Sequence, residues 1–471
     1  MAANLAVYWG IKEVWQIIIF YCVTPVLIFT INLVGVDTFG WIEAFGGILK
    51  IALVLAVTII LYVIAGQEGN WSSQGPINDG FQYNPAFTSN KYRAICYVIP
   101  MVAFGFLGIE AVAVTAFEAR DSKSLRLPSQ SIAYTTLVLY FLCLLGQCLN
   151  VSWTSDRLPL IYSGIGDGDG VTNATTLQWP LSSSLTIIAL WDWGKKGLAG
   201  FINGAMIFSV LSASNTSLYV ASRTLYGLAR EVPTTTWLGK LLHGFAVVVP
   251  KTGVPAGALF FSAIAFIWLP FMHLQAGYAV QYLVEIIQIS ASVSILIVWA
   301  TLSVAYLRYY LWLKKCRQCL VGEYEQFLRN GNKYEPYTVL AFMQPIPAIV
   351  AIAGCLVILG FCSATWWDLK ATFSKVAIGY AAPIVLFTIF VIFKIVNRRL
   401  WIRTNGDFAE LSKTLGRLKW YKQDEREMKD KRQDEGTRVL SPPLIGSDSM
   451  VEEYPMSNFA PSTEMLAQRQ V

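Results

Sequence analysis

Phe45-Gly-Gly-Ile-Leu-Lys-Ile-Ala-Leu-Val-Leu-Ala-Val-Thr-Ile-Ile-Leu-Tyr-Val-Ile64 is a run of 20 residues with a single charged side chain, Lys50. As a helix it would be about 30 Å long, the thickness of the hydrocarbon core of a bilayer. A helix on the surface of a soluble protein would carry a polar face along its length, and this stretch has none. Working outward, comparable blocks occur at Trp15–Val34, Tyr97–Phe117, Ile132–Leu149, Ala199–Ser222, Ala256–Leu274, Tyr282–Leu307, Pro347–Cys362 and Val376–Ile395. With Phe45–Ile64 they make about nine spanning candidates, each close to the length a bilayer requires. The predicted fold class is all-α transmembrane.

The whole composition agrees. Of the 471 residues 55% are hydrophobic and only 14% are charged, well under the roughly 25% of soluble domains. The mean hydropathy is +0.49. The formal net charge of +6 comes from loops and the C-terminal segment, without the basic–aromatic stripe expected of a nucleic-acid surface.

Those basic residues predict orientation. The loops after the third, fifth and seventh blocks hold Arg120, Lys123, Arg126, Arg223, Arg230, Lys240, Lys251, Arg308, Lys314, Lys315, Arg317, Arg329 and Lys333. That is about thirteen, against about seven in the loops on the other side, so the positive-inside rule puts the first set in the cytosol. The segment after Ile395, with Arg398, Arg399 and Arg403, is expected there too. The sequons at Asn70 and Asn173 then fall outside, where glycosylation would occur. Asn150 is too near the membrane for use, and Asn215 lies within a span. An odd number of spans leaves the N-terminus outside, yet residues 1–14 lack the parts of a signal peptide. This predicts further helices upstream. The domain expectation is a short segment at 1–14, a membrane domain at 15–402, and a cytosolic tail at 403–471. The tail's later part, rich in Ser, Pro and Glu, reads as disordered.

Eight cysteines lie mostly in or beside apolar blocks, where a free thiol behaves as a small hydrophobe. Cys316-Arg-Gln-Cys319 is a lone pair in a basic loop, short of the about four ligands zinc needs; reversible palmitoylation is its other reading. His243 and His273, the two histidines, lack ligand spacing. No metal, no cofactor and no catalytic constellation is predicted, and the chain is not read as an enzyme.

Three stretches carry more specific information: Ala103-Phe-Gly-Phe-Leu-Gly-Ile-Glu110 continuing through Thr115-Ala-Phe-Glu-Ala119 to Leu127-Pro128; Ser212-Ala-Ser-Asn-Thr-Ser-Leu-Tyr-Val-Ala-Ser-Arg-Thr-Leu-Tyr-Gly-Leu-Ala229; and Gly40-Trp-Ile-Glu43 with Ile48-Leu-Lys50-Ile51. Together, over roughly 8–402, they resemble the fungal amino acid permeases of the amino acid–polyamine–organocation superfamily. The resemblance implies an inverted-repeat transporter fold of two five-helix repeats plus two helices. It aligns the first block with the family's fourth helix, so the chain is expected to be N-terminally truncated, lacking counterparts of the first three. Asp121-Ser122 stands where the family usually has Asn-Pro, and one extra residue precedes Pro128.

Read physically, Gly105 and Gly108 permit either close helix packing or unwinding near the midplane, which frees backbone groups for a ligand. The resemblance implies the second, with Phe104, Gly105, Phe106, Gly108 and Glu110 as the substrate-binding set and the two phenylalanines closing over the substrate side chain. An acid within a span is a functional candidate by default; Glu110 would hold the substrate amine or order the broken helix. Glu118 is read as a gate or loop anchor. Lys50 either snorkels to the headgroups or, as the resemblance implies, serves proton coupling. Trp299 and Glu285 on the seventh block are weaker candidates, with aromatic packing and an outer-edge carboxylate as the alternative readings. The expected function is proton-coupled transport of amino acids across the plasma membrane, with amino acid, protons and membrane lipid as partners and no nucleic acid. A nutrient sensor of the same fold that signals without flux is the alternative, as is an inactive truncated permease.

Overall fold

The computed structural model describes residues 2–11, 13–68, 91–112, 126–152, 184–230, 237–249, 252–268, 280–321, 342–363 and 373–396, with a few isolated positions besides. Regular structure among them is entirely helical. The elements used below are α1 (Ala2–Ala6), α2 (Val14–Val34), α3 (Val36–Gln67), α4 (Lys91–Phe104), α5 (Arg126–Asn150), α6 (Leu185–Asp192), α7 (Lys196–Arg230), α8 (Ala256–Ile264), α9 (Val280–Lys315), α10 (Ile346–Gly360) and α11 (Phe373–Val396).

Five helices among the described residues are long and apolar enough to cross a membrane by length and composition: Val14–Val34, Thr38–Gln67, Leu127–Asn150, Lys196–Arg230 and Ile287–Lys315. Ile346–Gly360 and Gly379–Ile392 are shorter apolar helices. Each of the nine expected blocks therefore contains a helix. In the third block the helix that starts at Lys91 is interrupted after Phe104, and in the sixth the helix from Ala256 runs to Ile264 and is followed by turns among the described residues. Large apolar side chains such as Trp41 (80% exposed), Ile48 (69%) and Phe201 (73%) stand on the outside of the helices. In water such a surface would aggregate; in a bilayer it is solvated by lipid.

Most helices pack in two groups. In one, α7 is the centre, touching α1, α2, α3, α6 and α8, while α5 lies against α3. The core here joins Leu61 and Ile64 of α3 to Ile187, Ile188 and Leu190 of α6 and Ile202 of α7. Small residues set the approach: a Cβ on Gly146 would lie 3.1 Å from that of Leu61, so α5 and α3 meet nearly backbone to backbone. In the other group α9 touches α4, α10 and α11, around Ile289, Val293 and Cys362.

Two features lie outside the sequence expectation. Ala2, Ala3, Ala6 and Tyr8, placed in a short segment ahead of the membrane domain, are buried; α1 packs on α7, where Asn203 donates to the Leu5 carbonyl at 2.8 Å. The eight-residue α6 is almost wholly buried and is far too short to register as a span. The helix α2 also contains a π-helical stretch over Ile17–Val23, with the Thr24 amide bonded to the Ile19 carbonyl. Pro25, which has no amide to donate, follows directly. A compact unit covers Met1–Leu411 and a second Ser412–Val471. Asn70, Asn173, Glu118 and the Asp121-Ser122 pair lie outside the described residues.

Candidate functional site

Two polar arrangements interrupt the apolar interior. The first is built where α4 stops. Beyond Phe104 the amides of Gly105, Phe106 and Leu107 bond to the carbonyls of Val102, Ala103 and Phe104, three residues back, in place of the four-residue ladder. Gly108 adopts φ +106°, a backbone state an L side chain avoids. Its amide is bonded to the Glu110 carboxylate, at 3.1 Å from Oε1 and 3.2 Å from Oε2. The indole of Trp299, on α9, donates to Glu110 Oε2 at 3.2 Å. Tyr140, on α5, lies against the break from the other side: a Cβ at Gly105 would meet its ring at 3.4 Å, and its ring centroid is 6.0 Å from that of Phe106. The break is thus held between α5 and α9, and Glu110 acts within it as a bracket for the displaced backbone. Trp299, a weaker candidate in the sequence, touches this carboxylate. Glu285 lies on α9, but its side chain is outside the described residues.

The second arrangement joins α3 to α7 and α2. Glu43 and Lys50 are seven residues apart on α3, two helical turns and so on one face, about 10 Å along the axis. Helical side chains lean toward the N-terminus, which carries the Lys50 ammonium back toward Glu43. Nζ lies 3.4 Å from Oε2, and the two side chains are only 26% and 16% exposed. The ammonium also donates to Ser212 Oγ on α7 at 2.9 Å. Ser212 Oγ is itself 3.5 Å from Glu43 Oε2. Asn215 donates to Glu43 Oε1 at 2.9 Å, and Asn32 of α2 donates to Asn215 Oδ1 at 2.8 Å.

Gly46 makes this possible. It lies between Glu43 and Lys50 on the same face, and a Cβ there would come within 3.3 Å of Ser212 Oγ. One turn further, Phe39 stacks on Tyr219 with centroids 4.1 Å apart. The stripe Phe39, Glu43, Gly46, Lys50 therefore faces Tyr219, Asn215, Ser212 in reverse order, so α3 and α7 run antiparallel. Lys50 is turned into this contact with α7. Glu43, Ser212 and Asn215 stood in the motifs quoted above, but their meeting depends on the register of two helices far apart in sequence. The i, i+7 spacing of Glu43 and Lys50 was the available signal.

The family description "Amino acid permease" matches residues 1–406. The chain is similar to the dicarboxylic amino acid permease of Saccharomyces cerevisiae, 25% identical over 358 residues, which cover 72% of this chain and 53% of the relative. It is also similar to a lysine/arginine permease of Candida albicans, 26% identical over 366 residues, covering 74% and 55%. A valine/tyrosine/tryptophan permease of Saccharomyces cerevisiae is 26% identical over 292 residues, covering 62% and 43%. The chain spans about half the length of these relatives. With a membrane-spanning helical architecture, a helix broken at paired glycines and a family match across most of its length, this chain belongs to the amino acid permease family.

Proposed function

We propose that this protein carries amino acids across the membrane, binding the substrate zwitterion at the break formed by Phe104, Gly105, Phe106, Gly108 and Glu110. The observation that carries this reading is the Gly108 amide, released from the helical ladder and engaged with a carboxylate. A broken helix at depth in a transporter supplies backbone groups of this kind to a charged solute. Phe104 and Phe106 flank it, offering apolar contact for a substrate side chain. In this reading Lys50 takes part in proton coupling, because a charged amine within a span is costly and marks ion or proton pathways. The membrane is the plasma membrane, and the basic loops and C-terminal segment face the cytosol.

The test is uptake. The full chain is expressed in cells lacking endogenous amino acid permeases, and accumulation of a mixture of radiolabelled L-amino acids is measured at surface-normalised levels. Accumulation above empty vector, lowered in Gly108→Val, is the expected result. Normal surface protein with no flux would overturn the transport reading.

A further inference from the structure

We propose that Glu43 is the positioning residue for Lys50. Its carboxylate holds the ammonium against Ser212 of α7, so that the proton-bearing unit of the protein is a Glu43–Lys50 pair and not a lysine alone. The proton-bearing part rests on the coupling function proposed above for Lys50; the pairing stands on its own geometry.

A lone ammonium or carboxylate inside a low-dielectric bundle is costly, whereas a pair with its remaining valences satisfied is neutral overall. Both carboxylate oxygens of Glu43 are engaged, Oε2 by Lys50 and Ser212 and Oε1 by Asn215. Asn215 is oriented in turn by Asn32. Two neutral dipoles from α7, one of them oriented from α2, thus fix the carboxylate, and the carboxylate fixes the amine. No other charged side chain among the described residues joins this cluster. From α2 the facing group is Asn32; from α7 they are Ser212 and Asn215, followed by Tyr219 on Phe39. Arg223, further along α7, is directed elsewhere, lying over the Tyr219 ring and donating to the Gly253 carbonyl. The helices α5 and α6 meet α3 near Leu61, three turns beyond Lys50.

The test is a mutant cycle in the full chain: Glu43→Gln, Lys50→Met, and both together. Surface protein and the Tm in detergent report the pairing. Each single change strands one charge, so both should fall; the double change removes both charges, and its Tm should recover toward wild type. A double variant no better than the worse single variant overturns the pairing, even if the singles fail to fold. The second readout is the pH profile of uptake of the radiolabelled amino acid mixture at matched surface levels. Glu43→Gln should displace its midpoint, and Glu43→Asp should restore part of the displacement. A purely structural carboxylate would leave the midpoint unmoved, which would overturn the positioning role. A profile that persists unchanged in Lys50→Met removes Lys50 from coupling while leaving the Tm result to decide the pair.

Discussion

Glu110 shows what a single residue must do when a helix stops inside a membrane. Breaking the ladder at Gly105 leaves amides that lipid cannot satisfy, each costing several kcal/mol if unpaired. The Glu110 carboxylate takes the Gly108 amide, and Trp299 supplies a donor from a separate helix. Trp299→Phe keeps an aromatic ring but removes the indole N–H together with part of the side-chain volume. Leaving a buried hydrogen-bond partner unsatisfied costs about 1–3 kcal/mol, so the apparent KM for uptake is expected to rise roughly fivefold or more at unchanged surface level. Glu110→Gln, which keeps the shape, should also impair uptake. Wild-type kinetics in Trp299→Phe would show that the indole is only packing. Of this constellation the glycines and Glu110 were visible in sequence, because glycine and an acid are both anomalous within an apolar block. Tyr140 was not, since aromatic side chains are ordinary there, and Trp299 stood out only as a weaker candidate, because it is the packing of α5 and α9 that brings both to the break.

At the level of elements, the seam between α3 and α7 depends on one missing side chain. Gly46 brings Ser212 close enough to bond with Lys50. An added methyl requires a shift of a few tenths of an ångström, whereas a leucine must push the helices apart. Overpacking of this kind usually costs about 1–3 kcal/mol, and here it would also separate the Glu43–Lys50 pair from its dipoles. Gly46→Ala is expected to lower the detergent Tm slightly and Gly46→Leu to lower it markedly. Equal Tm values for Gly46→Leu and wild type would mean that the seam is looser than its geometry. The spans themselves were legible because an apolar block of bilayer length has few alternatives. The short α6 was not, because eight residues cannot cross a bilayer and burial by its neighbours leaves no periodic signature. The end of α4 at Phe104 was legible only as a choice between packing and unwinding, and both are present: Gly108 has a positive φ and Gly105 lies close against the Tyr140 ring.

The whole molecule adds a constraint on direction that no single loop supplies. The helices α3 and α7 are antiparallel along the Phe39–Tyr219 to Lys50–Ser212 seam. The helices α3 and α5 are parallel: Thr58 hydrogen-bonds Cys143, and Leu61, three residues on, meets Gly146, three residues on along α5. Met101 packs by Ile289 and Val293, while Glu110 reaches Trp299, so the third and seventh blocks also run the same way. These relations agree with strict alternation of crossings from block to block. Alternation leaves two absolute orientations, and we predict the one that puts the Lys- and Arg-rich loops after the third, fifth and seventh blocks in the cytosol. The loops holding Asn70 and Asn173 should then face the exterior and those holding Lys123 and Lys240 the cytosol. The eight native cysteines include exposed Cys22, Cys148 and Cys319, so the measurement needs a background in which all are replaced. Single cysteines at Ser72, Thr175, Ser122 and Lys240 are then labelled with a membrane-impermeant maleimide in intact cells. Reaction at Ser72 and Thr175 before permeabilisation, and at Ser122 and Lys240 only after it, is the expected pattern. The inverse pattern would reverse the orientation while keeping the alternation, and would place Glu43, which precedes Lys50 on α3, on the outer side of the pair. Labelling of Ser72 and Lys240 from the same side would break the alternation itself, because α3 and α7 could then not be antiparallel spans.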